Sequence, residues 1–322
     1  MKRDVDAVSQ KALFIRLGGL GDLLVALPSI AYLRKAFPSF HVCLLCRPEY
    51  GILLKGAGLA DEILSAEGRS FSFLFSGAIM EPEQFNRLKE FSLAFAWLQK
   101  ANPFALDASL RSSGIKRATI IAPGDALPPA VHRFFFRETL GAVGRDLDSD
   151  SLFEECARLP IGHGMIEKGL EYFGLAADSA PRRYAVIHPG SGSAAKCWPL
   201  ENFLYVVREL SREGVPGFLV TGEAEERLAK ALKYEALPEG WQWFDTPPLI
   251  KLAGLLAGAR FYLGNDSGIT HLAAACGTLV VALFRKELEP VWKPFGITHS
   301  VSAASLSELS RWAVWDAVSK LL

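Results

Sequence analysis

Three polar clusters in this 322-residue chain carry residue types that could do chemistry. The first is 264-GNDSGITHLAAACG-277, where Asn265, Asp266, Ser267, Gly268, Thr270 and His271 crowd the start of a short helix. A plain N-cap accounts for one such residue, not six. Free amides and the helix dipole favour an anion there, and Gly268 lets the backbone approach it closely. A lone His271 would ordinarily be structural, but its company points to a diphosphate or ribose contact. No second His or carboxylate stands at metal-ligand spacing, so zinc is not expected at this cluster.

The second cluster is 187-IHPGSGSAAKCWPLENF-203. Amides of a Gly/Ser-rich loop, with Ser191 and Ser193, can line an anion site, and Lys196 supplies a compact cation. Trp198-Pro199 sets the entry to the next helix, with proline at a permitted first-turn position. The third is 16-RLGGLGDLLVALPSI-30, in which Gly18, Gly19 and Gly21 lead into a helix holding Asp22. A dinucleotide fingerprint would need glycine at Leu24, so NAD binding and a dehydrogenase are disfavoured. Asp22 is either a helix cap or a general base; the loop alone favours the cap.

The elements that must position these clusters follow from periodicity. In the first half, ALFIRL, HVCLLC, DEILS, FSFLFS, FSLAFAW and RATIIA read as strands. A helix is expected from about 22 to 36, and another over 132–144. In the second half RYAVIH, PGFLVTG, WQWF, RFYLG and LVVALF read as strands. They alternate with helices at ENFLYVVRELSREG, EAEERLAKALKYEAL and LIKLAGLLAGA. Such alternation implies parallel sheets covered on both faces, where ligands bind outside the carboxyl ends of the strands. The fold class is α/β, with two Rossmann-like doubly wound domains over 1–175 and 176–322, and an interdomain region around 145–180. The last helix, about 305–322, has the length to pack back on the first domain.

Composition excludes several classes. Lys+Arg and Asp+Glu are 35 each, balanced 20 against 20 over residues 1–175 and 15 against 15 beyond. A nucleic-acid partner, which favours a basic bias, is therefore not expected. MKRDVDAVSQKA lacks the apolar core of a signal peptide, and no apolar run approaches the ~20 residues of a membrane span. Five cysteines fit a reducing, cytoplasmic setting. Cys43 and Cys46 form a C-x-x-C inside a strand, where they point to opposite faces and read as structural thiols. The DLDSDS stretch lacks the glycine and terminal glutamate of a calcium loop and reads as solvated linker.

Taken in order, RLGGLGDLLVALPSIAYLRKAFP, VIHPGSGSAAKCWPLENF and LAGLLAGARFYLGNDSGITHLAAACGTLVVALF resemble glycosyltransferase family 9, the ADP-heptose:lipopolysaccharide heptosyltransferases. The trailing EPVWKPFG is similar to the segment that follows in that family. The resemblance implies a GT-B fold, with its two domains facing a central cleft, and inverting transfer without a metal or cofactor. It matches Asp22 to the catalytic base and Lys196 to the donor-phosphate contact. Asp266, Ser267, Gly268, Ile269 and His271 match the nucleotide-sugar segment, and one of Glu223, Glu225 and Glu226, with Glu225 as the candidate, matches the ribose-binding acid. Arg285 departs from the family's usual glycine. The implied partners are a nucleotide-sugar donor and a lipid-linked saccharide acceptor, met in the cytoplasm with peripheral contact at the inner membrane. A different donor or acceptor, or a nucleotide-sugar binding protein without catalysis, is the alternative.

Overall fold

The computed structural model describes residues 10–67, 71, 73–76, 81–99, 103–124, 127–145, 150–176, 183–296 and 298–322. The chain divides into two compact units, Met1–Leu127 with Arg133–Ser149, and Pro128–His132 with Asp150–Leu322. The first unit holds a five-stranded parallel sheet of β1 (Lys11–Ile15), β2 (His41–Cys46), β3 (Glu62–Ser65), β4 (Phe91–Trp97) and β5 (Arg117–Ile121). Its spatial order is β3-β2-β1-β4-β5. The second unit holds a six-stranded parallel sheet of β6 (Ala185–His188), β7 (Gly217–Thr221), β8 (Trp241–Asp245), β9 (Phe261–Asn265), β10 (Leu279–Arg285) and β11 (Thr298–Ala303). Its order is β11-β10-β9-β6-β7-β8.

Both orders reverse direction once, between β1 and β4 and between β6 and β9. These are the switch points at which loops leave the sheet on opposite faces and open a crevice for ligand. The central strands β6, β7 and β9 are buried at every position, as helices on both faces require.

The differences from the sequence reading have local causes. The helix expected over 22–36 is two, Leu20–Val25 and Leu27–Ala36, because Pro28 cannot donate to the carbonyl four residues back. Phe73–Ser76 is a helical turn, not a strand; Phe73 and Leu74 are consecutive and both enter the core. A short apolar run does not tell these two conformations apart. β11 was not expected, since THSVSA is polar, as suits an edge strand.

The division falls earlier than residue 175. The helix His163–Tyr172 counts with the second unit because Gly169 meets Gly254 of the helix Leu249–Gly258, where an added Cβ would lie 2.7 Å from the opposing backbone. The last helix, Arg311–Ser319, likewise buries Val314 and Val318 in the second unit's own core beside Phe203 and Leu210. Of the DLDSDS stretch expected as linker, residues 146–149 lie outside the described residues, and Asp150 and Ser151 instead open the helix Asp150–Cys156. Cys43 and Cys46 are both buried, and burial pushes each metal-free thiol up to about 12.

Candidate active site

Each unit carries one half of the predicted constellation, at the switch point of its own sheet. In the first unit, Arg16 follows β1, Asp22 lies in the helix after it, and Gln99 follows the neighbouring β4. The Arg16 side chain is 2% exposed. Its Nε donates to the Asp22 carbonyl at 2.7 Å, one Nη to the Trp97 carbonyl at 2.9 Å, and the other Nη to Asp22 Oδ1 at 3.3 Å. The guanidinium lies 5.1 Å from the centre of the Phe135 ring. Burial pulls the Arg16 pKa down to about 10, against the opposing pull of Asp22, so it stays charged at neutral pH.

Gln99 Nε2 also donates to Asp22 Oδ1, and the Gly19 amide donates to Oδ2 at 2.8 Å. Asp22 therefore does serve the helix start, but with one oxygen. A carboxylate offers about four lone-pair positions, so Oδ1 is filled by two donors while Oδ2 keeps one free. The carboxylate occupies the space a side chain at residue 18 would need. A Cβ on Gly18, whose φ is +109°, would stand 2.3 Å from Asp22 Oδ2. Gly18→Ala is expected to cost about 1–3 kcal/mol of stability through backbone strain, read by urea unfolding, and to expel the carboxylate from its position.

In the second unit the loops after β6 and β9 meet. Lys196 Nζ donates to Asp266 Oδ2 at 2.7 Å, and the Ser191 hydroxyl donates to the Asp266 carbonyl at 2.7 Å. Asp266 is nearly buried, whereas Lys196 keeps 34% of its side chain exposed. Asn265 locks the loop beneath them: its amide donates to the Pro189 carbonyl at 2.8 Å, and its oxygen accepts from the Trp198 amide at 3.0 Å. Trp198 is buried and anchors through its indole N–H to the Leu309 carbonyl at 2.9 Å.

The helix Gly268–Ala275 begins as expected, with Ser267 Oγ accepting from the Thr270 amide at 3.3 Å. Gly268 and Ile269 are half-buried at its first two positions, where amides have no partner within the helix. Thr270 is turned inward to the Tyr262 hydroxyl at 3.0 Å. His271 is 3% exposed and lies in the helix among buried neighbours, not on its open rim. Ser193 is exposed and contributes its carbonyl to the loop, accepting from the Cys197 thiol. Gly21 is half-buried within the helix Leu20–Val25. Arg285 ends β10 and pairs with Glu287.

Among the three acids after β7, Glu225 is the one turned inward. Its Oε2 accepts from the Gly222 amide at 2.8 Å and lies 3.1 Å from His188 Nε2. With that ring nitrogen donating, His188 Nδ1 is left to accept from the Ser267 hydroxyl, 3.3 Å away. A Cβ on Gly190 would fall 1.9 Å from the Glu225 carboxyl carbon, so this glycine, like Gly18, makes room for a carboxylate. Glu223 and Glu226 instead line a cavity of about 240 Å³ with Lys230, Lys233 and Trp243. A cavity of about 710 Å³ between β5 and the helix Val131–Ala142 contains none of the motif residues. Volume alone does not locate this site.

A family model described as glycosyltransferase family 9 (heptosyltransferase) matches residues 150–312, just over half of the chain. The chain belongs to glycosyltransferase family 9. This glycosyltransferase is 24% identical over 309 residues to lipopolysaccharide heptosyltransferase 3 of Escherichia coli strain K12, covering 85% of this chain and 82% of that protein. A second E. coli protein of the same name is 30% identical over 123 residues, where the match spans 35% of this chain and only 34% of the relative. Among solved structures, the E. coli ADP-heptose lps heptosyltransferase II superposes with a TM-score of 0.76 at 17% identity, covering 97% of this chain and 98% of that one. The two parallel-sheet units thus carry the GT-B fold of the family.

Three polar residues of this glycosyltransferase's half-sites were not singled out by sequence. Arg16 follows a strand and His188 closes one, places where a charged or polar residue reads as an exposed boundary. Gln99 has no motif around it. Their signal was position alone, at the carboxyl ends of strands that flank a switch point. Among the described residues no helix is long and apolar enough to cross a membrane.

Proposed function

We propose that this glycosyltransferase moves a heptose from ADP-heptose to a lipopolysaccharide inner-core acceptor, with inversion and without a metal at the transfer site. The observation that carries the reading is the convergence of Lys196, Asp266, Ser267 and the helix start at Gly268 on one switch point. The names of the relatives, one aligned along most of the chain, supply the sugar and the acceptor class. The second unit takes the donor. The Gly268 and Ile269 amides and the Lys196 ammonium face the diphosphate and neutralise the leaving group. Asp266 is anionic and cannot bond phosphate oxygen; it accepts from sugar hydroxyls while holding Lys196. Glu225 keeps Oε1 for the ribose hydroxyls, since Oε2 is engaged.

The first unit supplies the base. Asp22 Oδ2 takes the acceptor hydroxyl proton as the new bond forms at the anomeric carbon and the bond to the ADP oxygen breaks on the opposite face. Arg16 and Gln99 hold the carboxylate so that Oδ2 is the atom presented. The acceptor is lipid-linked, so the protein meets it at the membrane surface through peripheral, substrate-driven contact in the cytoplasm.

Thermal-shift measurement against a panel of nucleotide-sugars, followed by a transfer assay with the best one, tests the donor. ADP-heptose should give the largest shift and support transfer to a heptose-deficient core; preference for another nucleotide-sugar would replace this donor. Donor binding without any transfer would favour a non-catalytic binding protein. Lys196→Ala should weaken ADP-sugar binding about 10-fold or more by calorimetry, as loss of a charge-assisted hydrogen bond of about 1.5–3 kcal/mol predicts. Unchanged affinity would remove Lys196 from the donor site.

A further inference from the structure

We propose that His41, Cys43 and Glu62 form a metal site of the zinc class at the amino-terminal edge of the first sheet. It lies at the opposite ends of the strands from Asp22. His41 opens β2 and Glu62 opens β3, whereas Asp22 follows the carboxyl end of β1. His41 and Cys43 are two apart on one strand and so share a face. Cys43 is the register partner of Glu62, which places the third side chain beside them.

The three potential ligand atoms lie within 4.8 Å of one another. Cys43 Sγ is 3.4 Å from Glu62 Oε2, and His41 Nε2 is 3.5 Å from that same oxygen. Ligands held tetrahedrally at about 2.0–2.3 Å from zinc stand about 3.3–3.6 Å apart. Two edges of a tetrahedral face therefore already have the right length. The His41 and Glu62 side chains, 38% and 46% exposed, have the freedom to close the third. Cys43 is buried in the first unit's core with Leu13 and Leu45, so the sulfur is the fixed point of the site. The exposed side supplies an entry path and a solvent ligand for the fourth position.

Ligand chemistry selects the ion. Thiolate sulfur, imidazole nitrogen and one carboxylate oxygen suit a borderline cation such as Zn²⁺, while Mg²⁺ and Ca²⁺ ask for oxygen alone. Without an ion, the Cys43 thiol donates weakly to Glu62 and His41 approaches the same carboxylate oxygen, so all three side chains already converge on one point. The nearby cation is Lys11, the register partner of His41 on β1. Its ammonium is held 2.6 Å from Glu90, which offsets its repulsion. Asp61 is engaged elsewhere, by Arg34 at 2.8 Å and the Val42 amide at 2.8 Å.

On binding, the Cys43 thiol releases its proton to solvent and forms the metal–sulfur bond, with His41 giving a nitrogen lone pair and Glu62 an oxygen. The charges of thiolate and carboxylate then balance the dication. The ion would tie the four-residue edge strand β3 to β2 and stabilise the first unit.

The test uses the full chain, stripped with a chelator and titrated with Co²⁺ as a spectroscopic substitute for Zn²⁺. One equivalent should produce thiolate-to-cobalt absorption in the near ultraviolet, which Zn²⁺ then displaces. Cys43→Ser should abolish that band, whereas Cys46→Ser and Cys197→Ser should keep it. His41→Gln and Glu62→Gln alter exposed side chains, so they keep the fold even where Cys43→Ser does not. Each should weaken binding by at least the ~10-fold lost when an outer-shell partner is removed. No thiolate band in the unaltered chain, a band that survives Cys43→Ser in folded protein, or unchanged affinity in the His41 and Glu62 variants would overturn the proposal.

Discussion

Asp22→Asn should lower turnover by about 10²–10⁴-fold, the usual contribution of a positioned general base, while donor affinity stays near that of the unaltered protein. The separation follows from geography. Asp22 belongs to the first unit, whereas Lys196, Asp266 and the Gly268 helix start belong to the second. Asparagine keeps an acceptor for Arg16 and Gln99 at the position of Oδ1. Its amide nitrogen replaces Oδ2 and faces the Gly19 amide, so one hydrogen bond of about 1 kcal/mol is lost. That loss lowers the melting temperature slightly and cannot explain a thousandfold fall in rate. Steady-state transfer and donor calorimetry on the same preparation decide the matter. Turnover equal to the unaltered protein would return Asp22 to the role of a helix cap.

Arg16→Met should destabilise the protein by about 2–4 kcal/mol, close to the cost of breaking a buried ion pair. The Asp22 carboxylate keeps 26% of its exposure, so the lower part of that range applies. Methionine fills much of the volume against Phe135 but leaves the Trp97 carbonyl without its donor and Asp22 without its counter-ion. Arg16→Lys keeps the charge and loses the fork that reaches both partners at once, so it should fall between the two. Urea unfolding measures both variants. A Met variant within about 0.5 kcal/mol of the unaltered chain would mean that the guanidinium holds nothing. Turnover in the Lys variant should fall further than its stability alone predicts, because Oδ2 is no longer aimed.

Much of the architecture was legible because its signals are local. HVCLLC and FSLAFAW are strands at the bounds their apolar runs suggest. The glycine loops stand where strand gives way to helix. What misled was equally local: FSFLFS alternates phenylalanine at every second position as a strand does yet ends in a helical turn, and the proline at 28 splits a helix whose spacing reads as continuous. The last helix has an apolar face whose partner no pattern names; Phe203 and Leu210, about a hundred residues earlier, turn out to cover it.

By itself the sequence determined that two parallel α/β sheets are built and that three polar clusters lie at strand carboxyl ends, because periodicity and turn chemistry act between near neighbours. It also set a helix start at Gly268 with more polar groups than capping uses. Only the tertiary structure decided what those groups do. Asn265 locks a loop, Asp266 holds Lys196 from 70 residues away, and Thr270 turns inward. Arg16 and Gln99 fill one oxygen of Asp22, while the other accepts from the Gly19 amide and keeps a lone-pair position open. Those pairings depend on which strands lie side by side, and strand order comes from long-range packing, not from residue spacing.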